Sequence, residues 1–156
     1  MNRIYCAIGK IVEVTQNIEL EIGEICEQSE IIKEFGRHAK ISLQDYNQVL
    51  EDSRYLRDKM ETMTFGQMIS VVYESKSLKY DEINELKALL EKRNYFTLEY
   101  FKFTHFGLNP DESFIVEEFT ALKEYLAKLK QMLNRLVLIK NSQTERLNYL
   151  TAKAGF

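Results

Sequence analysis

Apolar residues return along this chain with the period of a helix. Ile4, Ile11, Ile18 and Ile25 recur every seven residues, with Ile8 and Ile22 beside them. That predicts one long helix from about Asn2 to about Glu34. Gly36, after Phe35, predicts its stop. Gly9 and Gly23 lie inside the helix, where glycine costs about 1 kcal/mol relative to alanine, and they mark places where another helix can come close. A second apolar stripe, Tyr46, Val49, Leu50, Ser53, Leu56, Met60 and Met63, follows Ser42, a good N-cap with Asp45 three residues on. Thr64 and Gln67 form a capping-box pattern. They predict a break at Thr64 and a short helix from about Phe65 to Glu74 with Met68, Ile69 and Val72 inward. The polar "SKSLKY" reads as a loop.

A third long helix is expected from about Asp81 to His105, ending at Gly107. The fourth opens on "NPDES", with Asn109 as N-cap, Pro110 at the first helical position and Glu112 at the third. Ile115, Phe119, Leu122, Leu126, Leu129, Leu133 and Leu136 then alternate at spacings of four and three as one seam, which continues to Leu147 and Leu150. No segment alternates apolar and polar long enough for a half-buried strand. The fold class is therefore all-α: an up-and-down bundle of four long helices plus a short helix after Thr64, in one domain over 1–156.

Composition agrees. One proline and six glycines leave few breaks, and 45% apolar with 29% charged residues indicates a folded chain rather than a disordered one. A formal charge of −3 supplies no general field for nucleic acid, so any such site is a local patch. No signal peptide or bilayer-length apolar run is present. Cys6 and Cys26 fall roughly 30 Å apart on one helix, too far for a disulfide. The expected location is cytoplasmic, without metal or other cofactor.

The residues with chemical interest lie in "LLEKRNYFTLEYFKF", 89–103. The stripe Ile83, Leu86, Leu90, Arg93, Thr97, Tyr100, Thr104 puts Arg93 in register with core positions, and an unpaired buried guanidinium is costly. Either Arg93 has a buried partner or this face opens onto a groove or a second subunit. Elsewhere His38 reads as a solvent-facing loop residue, and the pairs Asp111/Glu112 and Glu117/Glu118 as helix-start carboxylates.

"LLEKRNYFTLEYF" resembles the signature of HEPN-superfamily proteins, small helical bundles whose motif is an Arg, a polar residue such as Asn, and a His four to six residues after the Arg, often as RNY-x-x-HxFF. Arg93, Asn94 and Tyr95 match, Tyr100 and Phe101 occupy the aromatic tail, and "TFGQMI" at 64–69 is similar to a segment preceding the motif in some members. The resemblance implies metal-independent RNA cleavage in active members, with the imidazole moving a proton and the Arg steadying phosphate charge. This sequence departs at the decisive position: Leu98 stands where the family has His. Neither Glu99 nor Tyr100 replaces an imidazole at neutral pH without a large pKa shift. His105 lies twelve residues, about 18 Å of helix, beyond Arg93. The expectation is a homodimer with a degenerate, inactive ribonuclease motif. It would bind RNA, a nucleotide or a protein partner such as an antitoxin through Arg93, Asn94, Tyr95, Thr97 and Tyr100. The alternatives are an active ribonuclease with a substitute proton-transfer group and a purely structural helical module.

Overall fold

A computed structural model describes residues 2–99 and 112–156, and every described element is helical. α1 spans Asn2–Arg37, α2 Leu43–Glu61, α3 Phe65–Ser75, α4 Tyr80–Asn94 and α5 Glu112–Ala154; a π-helical turn, Tyr95–Glu99, prolongs α4. The fold is an all-α bundle, as the periodicity predicts. The expected helix start at Asn109 and Pro110, and the end of the third long helix at His105, lie outside the described residues.

The pairings fix the direction of each helix. Phe35 meets Tyr46, and Arg57 reaches back to Glu24 and Glu27, so α2 runs antiparallel to α1. Gly66 faces Leu90 while Lys87 sits over Tyr73, so α4 runs antiparallel to α3. Glu85 pairs with Arg135, and Tyr125 with the Leu89 carbonyl, so α5 runs antiparallel to α4. Lys140 binds Glu21 and Glu24, and further along Gln143 donates to Ser29. α1 and α5 are therefore parallel neighbours, and theirs is the most extensive packing in the fold. The short α3 therefore points the same way as α1 and α5, opposite to α2 and α4. With the short helix counted among five alternating directions, the first and last helices point the same way.

The core is one cluster. Ile4, Ile11, Ile18, Ile22 and Ile25 of α1 are all 0% exposed, and so are Leu122, Leu129 and Leu136 of α5. Met68, Ile69 and Val72 are buried as expected, together with Phe65. Three expectations need correction. α1 runs through Gly36 to Arg37, and Arg37 pairs with Glu34 in the last turn. Gly9 and Gly23 do not admit a close helix, since a Cβ on either would meet nothing within 4 Å. In α5, Leu126 and Leu133 are only half-buried, and the deep positions include Tyr125 and Met132 instead.

The break at Thr64 has the expected chemistry. The Gln67 amide N–H donates to Thr64 Oγ1 at 3.3 Å, and the Thr64 N–H donates to Gln67 Oε1 at 2.8 Å. Thr64→Ala should lower stability by about 1 kcal/mol through loss of this cap. An unchanged denaturation midpoint would show that α3 starts without help from the threonine.

Candidate functional site

Arg93 closes the last turn of α4, and the chain immediately widens into the π-helical turn Tyr95–Glu99. In that turn hydrogen bonds span five residues instead of four, an arrangement that recurs at functional sites. The buried stripe of α4 runs through Ile83, Leu86 and Leu89 and continues to Phe96. Arg93 is thus at the edge of the stripe, half-buried, and not at its centre as the heptad spacing implies. Thr97 is likewise half-buried, and its hydroxyl donates to the Arg93 carbonyl at 2.8 Å.

The guanidinium has unusual company. Nη1 donates to Asn94 Oδ1 at 3.1 Å, which brings the two motif side chains together, although their backbone positions are about 100° apart on a helix. Nε is buried without a hydrogen-bond partner. Among the described residues no carboxylate lies within salt-bridge distance of Arg93, whereas Arg135 has one and Arg57 and Lys140 have two each. Its charge is felt at two groups the sequence did not single out. Glu19 of α1 is half-buried; burial raises its carboxyl above the ordinary range and the Arg93 charge pulls it partly back. Tyr125 of α5 is 2% exposed. Burial pushes its phenol well up, again opposed by Arg93, so it stays a proton donor and gives its hydrogen to the Leu89 carbonyl at 2.6 Å. Phe96 packs on the Tyr125 ring at 5.2 Å and on the Tyr95 ring at 5.3 Å, edge-on, while Tyr95 itself is 39% exposed. Tyr100, Phe101 and His105 lie outside the described residues.

Glu19 and Tyr125 could have been found only from the fold. Glu19 neighbours Ile18 in sequence and lies just off the isoleucine stripe, which periodicity reads as a solvated flank. Glu19 also joins this locale to a cleft of about 450 Å³ lined by Gln16, Met60, Met63 and Met68. A larger cleft, about 720 Å³ between α1, α2 and α3, is lined by Glu30, Glu34, Asp45, Asp52 and Glu74 with His38, the wrong sign for a phosphate. Among the described residues no cluster of His, Cys, Asp or Glu could hold a metal ion, and no helix is long and apolar enough to cross a membrane. Cys6 is exposed and Cys26 buried, both free.

The raised carboxyl of Glu19 makes a pH prediction. The unfolded chain ionises this group more readily than the folded protein does, so its drag on stability is absent in acid and grows as pH rises through the carboxylate range. Glu19→Gln should therefore raise the thermal midpoint at pH 7. The gain should vanish below about pH 4, where both states carry a neutral side chain. A gain of the same size at both pH values would place the cause in packing instead of ionisation.

No protein-family model, curated protein or solved structure matches this chain. What fold and site define is an all-α bundle whose half-buried Arg–Asn pair sits at an α-to-π transition between α1 and α5.

Proposed function

We propose that this chain is a homodimeric, HEPN-like binding protein that takes RNA or a nucleotide at Arg93 and Asn94 and does not cleave it. The observation that carries the reading is the state of Arg93. It is half-buried, has no carboxylate within salt-bridge distance among the described residues, and keeps a buried Nε without a partner. A structural arginine at such a place is normally paired at contact distance, and here the carboxyl in its field, Glu19, lies beyond salt-bridge distance. A phosphate supplies two oxygens to the planar fork of donors, and Asn94 already shares hydrogen bonding with it. The Arg-Asn-Tyr resemblance supports the same ligand class, and Leu98 in the histidine position removes the proton-transfer group. The family setting, defence or a toxin–antitoxin pair, adds a protein partner to this reading.

Binding should be weak and salt-sensitive, since the whole chain carries −3. The test is fluorescence anisotropy of a labelled single-stranded RNA at low salt with chelator present, with sedimentation reporting the dimer. Arg93→Ala should weaken binding by about 10–100-fold, the range for losing one charged hydrogen-bonding group. Equal binding by the folded Arg93→Ala protein would remove Arg93 from the site and leave it as an edge-of-core residue.

A further inference from the structure

A third cleft has the electrostatic character that the overall charge lacks. It measures about 280 Å³ and lies where α1, the α3–α4 turn and α5 meet. Lys33 and Ser29 come from α1, Lys76 and Ser77 from the turn, and Ser142 and Arg146 from α5. Three cations and three hydroxyls thus converge from three segments, and no carboxylate is among the lining residues. In a chain of net charge −3 this is a local reversal of sign. Ten residues of α1, about 15 Å of helix, separate Ser29 from Glu19, so the cleft is distinct from the Arg93 site.

Two of the three cations are not already consumed. Lys33 is shared, donating to Glu30 at 2.7 Å and to the Ser75 carbonyl. For Lys76 and Arg146, no carboxylate lies within 4 Å among the described residues. The C-terminal end of α3 would ordinarily repel an anion. Here three of its last four carbonyls are occupied: the Lys76 N–H donates to Tyr73, the Ser77 N–H to Val72, and Lys33 to Ser75. Lys76 adds a second observation. It caps α3 in the left-handed conformation, φ 53° and ψ 33°, and is the only non-glycine residue with positive φ among those described. That position normally belongs to glycine or asparagine, because a Cβ is strained there. The cap hydrogen bonds come from the backbone and need no side chain. Lys76 is exposed at this cap and lines the cleft, so its charge is presented there.

We propose that this cleft binds a phosphate group, either inorganic phosphate or the phosphate of a small phosphomonoester. Arg146 supplies paired donors, Lys76 and Lys33 supply charge, and the Ser142 hydroxyl supplies a neutral donor, while the Ser77 hydroxyl is engaged with Ser75. The proposal does not depend on the Arg93 reading.

Calorimetric titration of the intact protein with inorganic phosphate and, separately, with O-phosphoserine tests it, against chloride at matched ionic strength. At least one of the two should bind saturably and raise the thermal midpoint. Tighter binding of phosphoserine identifies an ester as the ligand; equal or weaker binding identifies free phosphate. Arg146→Gln and Lys76→Gly should each weaken binding roughly tenfold, the loss expected for one charge-assisted contact. Lys76→Gly suits the left-handed position better than lysine, so a loss of binding there cannot be blamed on misfolding. The titration is repeated in the Arg93→Ala background, where any phosphate held by that arginine is lost and saturable binding at the cleft should remain. The proposal is overturned if neither compound binds beyond the chloride control, if both cleft variants titrate like the unaltered protein, or if Arg93→Ala alone abolishes binding.

Discussion

Leu98→His should turn a protein that leaves RNA intact into one that cleaves it without metal. This rests on the reading proposed for Arg93 and Asn94, which remain to hold the phosphate. What the sequence lacks is a group that exchanges a proton near neutral pH, and imidazole is the side chain whose ordinary pKa, about 6.5, meets that need. General acid–base catalysis is worth about 10²–10⁴-fold, so the gain should be plain on a labelled RNA with chelator present. Position 98 follows Arg93 by five residues and falls within the π-helical turn. In a regular α-helix five residues carry a position well away from its starting side, whereas the wider π turn brings its backbone part of the way back. Cleavage should depend on pH with an imidazole-like midpoint, and Arg93→Ala in the Leu98→His background should abolish it. A folded, dimeric Leu98→His protein that cleaves nothing would mean the resemblance carries no catalytic geometry. Cleavage by the unaltered protein would instead point to a substitute group, and Glu19→Gln is then the variant to measure, because that carboxyl is raised by burial and lies in the field of Arg93.

Leu129→Ala should cost about 2–5 kcal/mol of stability, the range for truncating a fully buried leucine and leaving a cavity. Leu129 is 0% exposed in the middle of α5, in the same cluster as Ile18 and Ile22 of the parallel α1. Leu133, one turn on, occupies an equivalent place in the sequence seam but is only half-buried. Leu133→Ala should cost less, about 2 kcal/mol or below, since part of the side chain is already in water and solvent can follow it in. Urea denaturation of the two variants under matched conditions compares them directly. If Leu133→Ala proves the more damaging, α5 is rotated relative to the arrangement described here.

How much was legible divides along physical lines. The helices could be read from the chain because their signals are local. The capping pair Thr64 and Gln67 announces α3 within four residues, and Ser42 with Asp45 does the same for α2. Seven-residue recurrence of isoleucine fixes α1 and its inward face without reference to any partner. The Arg-Asn-Tyr stretch was likewise visible, because an arginine in an apolar stripe asks for an explanation wherever the helix ends up.

Choices among equivalent patterns belonged to the tertiary structure. In α5 the series Leu122, Leu126, Leu129, Leu133, Leu136 and the series Leu122, Tyr125, Leu129, Met132, Leu136 both satisfy the period. The side on which α1 and α4 pack selects the second. In α4 the same ambiguity put Arg93 at the centre of the stripe, when Leu89 and Phe96 take the buried places and leave it at the edge. Because the short α3 reverses the chain once more between α2 and α4, α1 and α5 run parallel. That brings Glu19 and Tyr125 to Arg93, and Ser29 and Lys33 to Arg146. These pairs are separated by tens of residues or more along the chain. Periodicity records only which face of a helix is apolar, so such meetings are decided by how the faces are stacked.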